Sequence, residues 1–186
     1  SFMATRRVNS EGVAVGTSGS DKVYGNSRAN VLAGAGGNDT LWGKGGGDLI
    51  DGGSGNDKIY GDSGNDLLTG GAGRDTLIGG TGYDYFAFDT RPSSSNIDVI
   101  DDFSVKYDSI ALSKKIFKIS ANSKGYISSS AFWTGSSAHD SNDRLIYDKV
   151  TGALYYDADG TGANAAVQFA QLDANLKLTY KDFGML

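Results

Sequence analysis

The chain has no cysteine, one proline and one histidine in 186 residues, and of its 22 acidic residues only Glu11 is a glutamate, leaving 21 aspartates. Without cysteine there is neither a disulfide framework nor a thiolate metal site, so stability outside a cell must come from packing and hard ions. A single histidine, His139, excludes a three-histidine zinc site within the chain and forces any Ser-His-Asp triad to be built around that residue. No apolar run reaches membrane-spanning length, which argues against membrane insertion. A net charge of −5 lacks the basic excess that nucleic acid or an anionic membrane requires of a partner. No N-terminal signal peptide is visible, and the chain is expected to be a fragment whose first residues, Ser1 and Phe2, are left over from cloning.

Glycine and aspartate, in contrast, are abundant and periodic. From Gly16 to Ala87 a nine-residue unit repeats eight times without insertion, beginning at Gly16, Gly25, Gly34, Gly43, Gly52, Gly61, Gly70 and Gly79. The fourth slot is glycine in all units but one, where Arg28 stands. The sixth slot reads Asp21, Asn30, Asp39, Asp48, Asp57, Asp66, Asp75 and Asp84; the eighth reads Val23, Leu32, Leu41, Ile50, Ile59, Leu68, Leu77 and Phe86. Six glycine-rich residues followed by three with one apolar residue predict a turn and a short strand. Side chains alternate across a strand, so the eighth slot points inward and slots seven and nine point out. Consecutive units then lie on opposite sides of a narrow core, making two parallel sheets in which each full turn uses two units. Stacked rungs bring sixth-slot carboxylates to about 4.8 Å, where two unit charges repel by roughly 3 kcal/mol at an effective dielectric of 20. A hard dication that accepts six to eight oxygens would remove that repulsion.

The pattern GGxGxDxUx, eight times in register, closely resembles the RTX (repeats-in-toxin) family of calcium-binding β-rolls. The resemblance implies an all-β fold: a right-handed parallel β-roll, four turns of two nonapeptides, with a β-rich C-terminal cap. It also implies Ca2+ as cofactor, about five to seven ions, each between turns two units apart and held by sixth-slot aspartates and carbonyls of slots one to four. One column then runs through Asp21, Asp39, Asp57 and Asp75, with Gly34, Gly36, Gly37, Gly52, Gly53, Ser54, Gly55, Gly70, Gly71, Ala72 and Gly73. The other runs through Asp48, Asp66 and Asp84, with Gly43, Gly45, Gly46, Gly61, Asp62, Ser63, Gly64, Gly79, Gly80, Thr81 and Gly82. Asn30 lacks the charge and Arg28 replaces a glycine beside it, so the site between the units at Gly25 and Gly43 is expected to be impaired.

Three regions are expected: residues 1–15 as an N-terminal cap with Ala14 in the inward slot, 16–87 as the roll, and 88–186 as a β-rich capping and secretion-signal region. Glycine falls from 21 residues in the repeat to seven of the 28 elsewhere. The stretches Tyr85–Phe88, Asp98–Phe103 and Tyr107–Leu112 resemble the segment closing the roll in serralysin-type C-terminal domains, whose carboxylates fill terminal calcium sites. Asp102 and Asp108 are the matching candidates, ahead of Asp98 and Asp101. Arg144–Asp148 and Ala153–Asp157 flank Lys149–Gly152 as a β-hairpin, and Val167–Leu172 and Leu176–Tyr180 read as further strands. Asp157-Ala-Asp-Gly160 is either a plain turn or a calcium loop lacking the glutamate at its twelfth position.

Outward slots are unexpectedly apolar: Tyr24, Trp42, Tyr60 and Ile78 on one sheet, Val31, Leu49, Leu67 and Tyr85 on the other. Cover by the C-terminal half or a neighbouring chain is expected, with sugar stacking as the functional alternative. The terminus Asp182-Phe-Gly-Met-Leu186 resembles the uncleaved signal of type I secretion substrates. Nothing marks two aspartates as a glycosidase pair, and matches to GxGxxG are by-products of the glycine slots. The reading is a non-catalytic, monomeric, secreted bacterial module. Its partners are an N-terminal functional domain of the same protein, acting as an extracellular hydrolase, lyase, epimerase or protease, and a type I exporter. The alternative is a carbohydrate-binding or adhesive module on a polysaccharide.

Overall fold

The computed structural model describes residues 3–186; Ser1 and Phe2, read above as a cloning remnant, lie outside the described residues. Each unit folds as turn and strand, because its glycines supply the turn and its inward, buried eighth-slot apolar residue anchors the strand. The strands are β1 (Thr5–Arg7), β2 (Val13–Val15), β3 (Lys22–Tyr24), β4 (Val31–Ala33), β5 (Thr40–Trp42), β6 (Leu49–Ser54), β7 (Lys58–Tyr60) and β8 (Leu67–Ala72). β9 (Thr76–Ile78), β10 (Tyr85–Phe88), β11 (Asp98–Ile100) and β12 (Ser109–Leu112) follow. Odd strands from β1 to β11 form one parallel sheet and even strands from β2 to β12 the other. Val23 lies beside Leu41 and Leu32 beside Ile50, a register of two units per turn. The fold is an all-β parallel β-roll.

The core is two inward ladders. Val23, Leu41, Ile59, Leu77 and Ile100 face Ala14, Leu32, Ile50, Leu68, Phe86 and Ile110, and all are buried. Ladder pairing passes beyond the repeat at both ends. β1 and β2 add a turn in front, with Ala14 aligned on Leu32. Behind, Ile100 pairs with Leu77 and Ile110 with Phe86, offsets of 23 and 24 residues against 18 inside the repeat.

β13 (Phe132–Thr134), β14 (Leu145–Asp148), β15 (Ala153–Tyr156) and β16 (Val167–Gln171) prolong the odd sheet past β11, in the order β16, β15, β14, β13. β14 and β15 are the expected antiparallel hairpin. Leu176–Tyr180, expected as a strand, is instead coil leading into a short 3-10 turn at Tyr180–Asp182. It is tied down because the Leu176 amide donates to the Tyr147 hydroxyl, which donates to the Asp173 carbonyl.

One further expectation needs correction. The C-terminal half leaves the even-sheet stripe open at Val31, Leu49 and Tyr85, which are 44 to 52% exposed, while Tyr24, Trp42, Tyr60 and Ile78 on the odd sheet are half-buried. It adds to the end of the roll instead, because an open parallel edge presents unpaired amides and carbonyls whereas an outward face does not. The terminus is itself part of a sheet. β17 (Phe183–Met185) pairs with β12, which sets Phe183 in line with Ile110, fully buried, its ring 5.3 Å from Phe132. Among the described residues no helix is long and apolar enough to cross a membrane.

Candidate metal centre

The six units from Gly34 onward share an unusual turn backbone. Slot two is left-handed at Ala35, Lys44, Gly53, Asp62, Gly71 and Gly80 (φ 70 to 95°), and slot four at Gly37, Gly46, Gly55, Gly64, Gly73 and Gly82 (φ 97 to 142°). Slot four has to be glycine for a second reason: a Cβ at Gly55 or Gly64 would run into the carbonyl of the turn before it. Left-handed slot two costs roughly 1–2 kcal/mol at Ala35, Lys44 and Asp62, so something must hold it. Part of the answer is turn-to-turn bonding, as where the Ser54 amide donates to the Ala35 carbonyl and the Thr81 amide to that of Asp62.

The sixth-slot aspartates stack in two columns. The amide of each donates to Oδ1 of the aspartate one turn on: Asp21 to Asp39, Asp39 to Asp57 and Asp57 to Asp75 at 2.7 Å, then Asp75 to Asp98 at 3.1 Å. In the second column Asn30 donates to Asp48, Asp48 to Asp66, Asp66 to Asp84 and Asp84 to Asp108. Each Oδ1 is therefore satisfied. The other oxygen is not: Oδ2 of Asp39, Asp48, Asp57, Asp66, Asp75 and Asp84 is buried with no hydrogen-bond partner. Leaving one such atom unmet costs about 1–3 kcal/mol or more for a charge, and six recur in register. They do not stand alone. A Cβ on Gly52 would meet Asp57 Oδ2 at 2.5 Å and the Gly70 carbonyl at 2.6 Å, and one on Gly61 would meet Asp66 Oδ2 and the Gly79 carbonyl at the same distances. Over Gly34, Gly43, Gly52 and Gly61, a carboxylate oxygen and the next turn's carbonyl oxygen thus converge where a side chain is forbidden, and over Gly70 and Gly79 the carboxylate oxygen of Asp75 or Asp84 does so. All-oxygen donors with carboxylate charge suit calcium.

Residues 15–50 and 51–86 match the family described as the RTX calcium-binding nonapeptide repeat, a pattern of four copies. Residues 15–86 are RTX calcium-binding repeats. The AlgE6R3 subunit of the Azotobacter vinelandii mannuronan C5-epimerase, solved in solution, is similar over 90% of this chain and 79% of that one, at 25% identity and a TM-score of 0.47. No curated protein sequence matches the chain.

The first two RTX units are built differently. Neither has a left-handed slot two or four. Asp21 Oδ2 accepts from the Thr17 amide and hydroxyl while Oδ1 accepts from the Ala4 amide; Asn30 Oδ1 accepts from the Asn26 amide. The sixth-slot side chain caps its own turn, the role left open in the later six. Asp21, expected as a ligand, thus has both oxygens engaged within the protein, and Asn30 has its Oδ1 engaged.

Electrostatics separates the same two groups. Burial pushes the carboxyls of the later units up, reinforced by neighbouring aspartates: Asp48 to about 6, Asp57 and Asp66 to about 7. Asp39, Asp75, Asp84, Asp98 and Asp108 are raised for the same first reason. At Asp21 burial also acts upward, but hydrogen bonds from Thr17 and Ala4 outweigh it and the carboxyl is lowered.

Past the repeat, Asp98 and Asp108 continue the columns. Asp102 lies outside them, its two oxygens accepting from the Gly79 and Gly80 amides; Asp101 is exposed. Sequence reasoning missed the slot-five asparagines. Asn38 and Asn56 accept from the amides of Asn56 and Arg74 one turn on, and Asn65 from that of Tyr83. Asn96 accepts from Gly73. The recurrence of asparagine in slot five was the available signal.

Elsewhere, the 157–164 turn is held by its own bonds: Asp157 Oδ1 accepts from the amides of Asp159 and Gly160, and Asp159 Oδ2 from Asn164. His139 stacks on Trp133 and sets Nδ1 3.3 Å from Asp143, whose Oδ2 accepts the His139 and Asp140 amides. The aromatic stripe is a self-stacked ladder, with Tyr24 on Trp42 at 4.7 Å and Trp42 on Tyr60 at 5.8 Å, the ring planes nearly parallel. Arg7 and Lys44 lie over Tyr24, and Lys58 over Tyr60.

Proposed function

We propose that this chain is a non-catalytic calcium-dependent folding module of a larger extracellular bacterial protein, exported unfolded by a type I system and locked into shape outside. The observation that carries the reading is the set of six buried, unpaired Oδ2 atoms, four of them beside a slot-one carbonyl of the next turn. Asp39, Asp57 and Asp75 would hold ions in one column and Asp48, Asp66 and Asp84 in the other, three each, with Asp98, Asp102 and Asp108 closing the last turn. Asp21 and Asn30 are left out. Calcium supplies the positive charge and the oxygen-binding capacity that these turns lack.

Calcium sites of extracellular modules commonly have dissociation constants near 10⁻⁴ to 10⁻³ M. At the tight end, about 1 mM external calcium adds roughly 1.4 kcal/mol per site, and submicromolar cytosolic calcium adds almost nothing. Because each Asp amide is bonded to the next carboxylate in its column, the sites share one spine and order together. An unfolded chain also leaves Asp182–Leu186 accessible to an exporter, whereas folding buries Phe183 within β17. Calcium outside then withdraws the signal as it completes the roll.

A glycan platform is the weaker reading. Sugar stacking needs an open ring face, and Trp42 has Tyr24 on one side and Tyr60 on the other. Native mass spectrometry of the calcium-saturated chain tests the assignment. Six bound ions are expected, and a count that includes Asp21, revealed by loss of one ion in Asp21→Ala, contradicts it.

A further inference from the structure

Where the last turn of the roll meets the added strands, a half-open groove of about 500 Å³ remains. Its rim carries Arg91 from the loop before β11 and Lys115 and Lys118 from the turn after β12. Its wall is the Tyr156 ring with Ile116 and Val167. No carboxylate lines it, and among the described residues no lysine or arginine is ion-paired, since the salt bridges are those of His139. The nearby Asp159 turns its Oδ2 onto Asn164. This local excess of positive charge sits in a chain whose net charge is −5.

The wall is also fixed in place. The Tyr156 hydroxyl accepts from the Lys118 amide at 3.0 Å, joining the cationic turn to the aromatic wall, and the ring packs edge-on against Phe117 at 5.1 Å. Phe117 is fully buried and packs in turn on Phe169. Rigid apolar walls with a few convergent charges are what small-molecule sites are made of. Three unpaired cations above an apolar wall suit an anionic head on an apolar body.

The geometry points to a binding site for a small organic carboxylate with an apolar body, its carboxylate between Arg91, Lys115 and Lys118 and its body against Tyr156. The site is separate from both calcium columns and does not depend on the folding role. An arginine with a lysine offers a carboxylate charge-assisted hydrogen bonds, and the apolar wall discriminates against bare ions.

Hexanoate titrated into the calcium-saturated full chain, followed by calorimetry and by the ring resonances of Tyr156, tests this. Saturable binding near about 1 mM is expected, moving the Tyr156 signals. Lys118→Gln and Arg91→Gln should each weaken it about tenfold, Val167→Trp should abolish it by filling the groove, and Lys22→Gln near the opposite end of the odd sheet should leave it unchanged. Calcium midpoints of these variants, expected at the wild-type value, separate loss of the site from loss of the fold. Equal affinity for inorganic phosphate reduces the site to a charge patch, and equal affinity for glucuronate removes the role of the apolar wall; either overturns the proposal. Absence of saturation by about 20 mM hexanoate, or binding indifferent to Lys118→Gln, overturns it as well.

Discussion

The units at Gly16 and Gly25 and the six that follow carry glycine in slot one, aspartate in slot six apart from Asn30, and an apolar residue in slot eight, and enter the same two ladders. Their turns nevertheless differ. In the first two a side chain closes the turn on itself through Thr17 or Asn26; in the later six the backbone is left-handed at slots two and four and a carboxylate oxygen is left unmet. The difference shows that the aspartate's identity does not decide whether its Oδ2 is met. The backbone does, by turning the slot-two amide away and leaving Oδ2 without a donor.

The largest effect that separates the two groups is removal of calcium. Without a cation the six later turns hold buried, mutually repelling carboxylates, and a native core of single-file aliphatics is too thin to hold them. Circular dichroism in chelator should show loss of the β spectrum, and hydrogen exchange should show protection lost throughout Gly34 to Asp84. A native spectrum in metal-free buffer would break the comparison at its root.

Next comes the backbone itself. Gly55 has φ +125° and no room for a Cβ against the Gly37 carbonyl. Gly55→Ala should cost about 2 kcal/mol or more and shift the calcium midpoint upward. Arg28 fills the same slot in the second unit at ordinary φ, so Arg28→Gly should change stability by no more than about 0.5 kcal/mol. Thermal melts at fixed calcium measure both; similar effects would mean that the two kinds of turn are energetically alike.

Much of this was legible in the sequence. The nine-residue period and the phase of Asp39, Asp57 and Asp75 against Leu41, Ile59 and Leu77 dictate the ladders and the columns, because a parallel rung repeats whatever the unit repeats. What was hidden lies where the period breaks or where backbone outweighs letter. Asp98 continues its column at 23 residues from Asp75, five more than the register of 18, so Asp102 looked the better candidate. Asp21 and Asp39 are the same residue in the same slot and differ in their surroundings, since the Thr17 amide and hydroxyl cap Asp21 Oδ2 and Asp39 Oδ2 is left unmet. Phe183 reads as part of a tail until Ile110 is found beside it.

Removing single carboxylates sharpens the comparison further. Asp57 sits mid-column, with its Oδ1 accepting from Asp39 and its Oδ2 unmet. Asp57→Ala deletes a ligand and orphans the Asp39 amide, and should raise the calcium midpoint about tenfold, the equivalent of about 1.4 kcal/mol. Asn30→Ala removes a turn cap worth about 1 kcal/mol but no ligand, so the melting temperature should fall while the midpoint moves little. Calcium titrations of the two variants decide between them, and a reversed ranking would place the ions elsewhere.

The smallest effect, and the one with opposite signs in the two groups, is that of pH on the metal-free chain. Asp48, Asp57 and Asp66 have folded values raised to about 6, 7 and 7, above the ordinary carboxyl value near 4. A raised folded value contributes stability that is fully present below the unfolded value and is lost as pH rises through the folded one. For these units the window runs from about pH 4 to about 7, so mild acid should restore part of the β spectrum in chelator. Asp21 is lowered, so its contribution is present above pH 4 and fades below it. Protons and calcium compete for the later six, and the calcium midpoint should therefore climb as pH falls from 8 to 6, with protons released on binding. Calorimetry in two buffers of different ionisation enthalpy measures that release. Asp21→Asn should leave it unaltered and Asp57→Asn should reduce it. Equal proton release in both variants would mean that Asp21 belongs with the ligands after all.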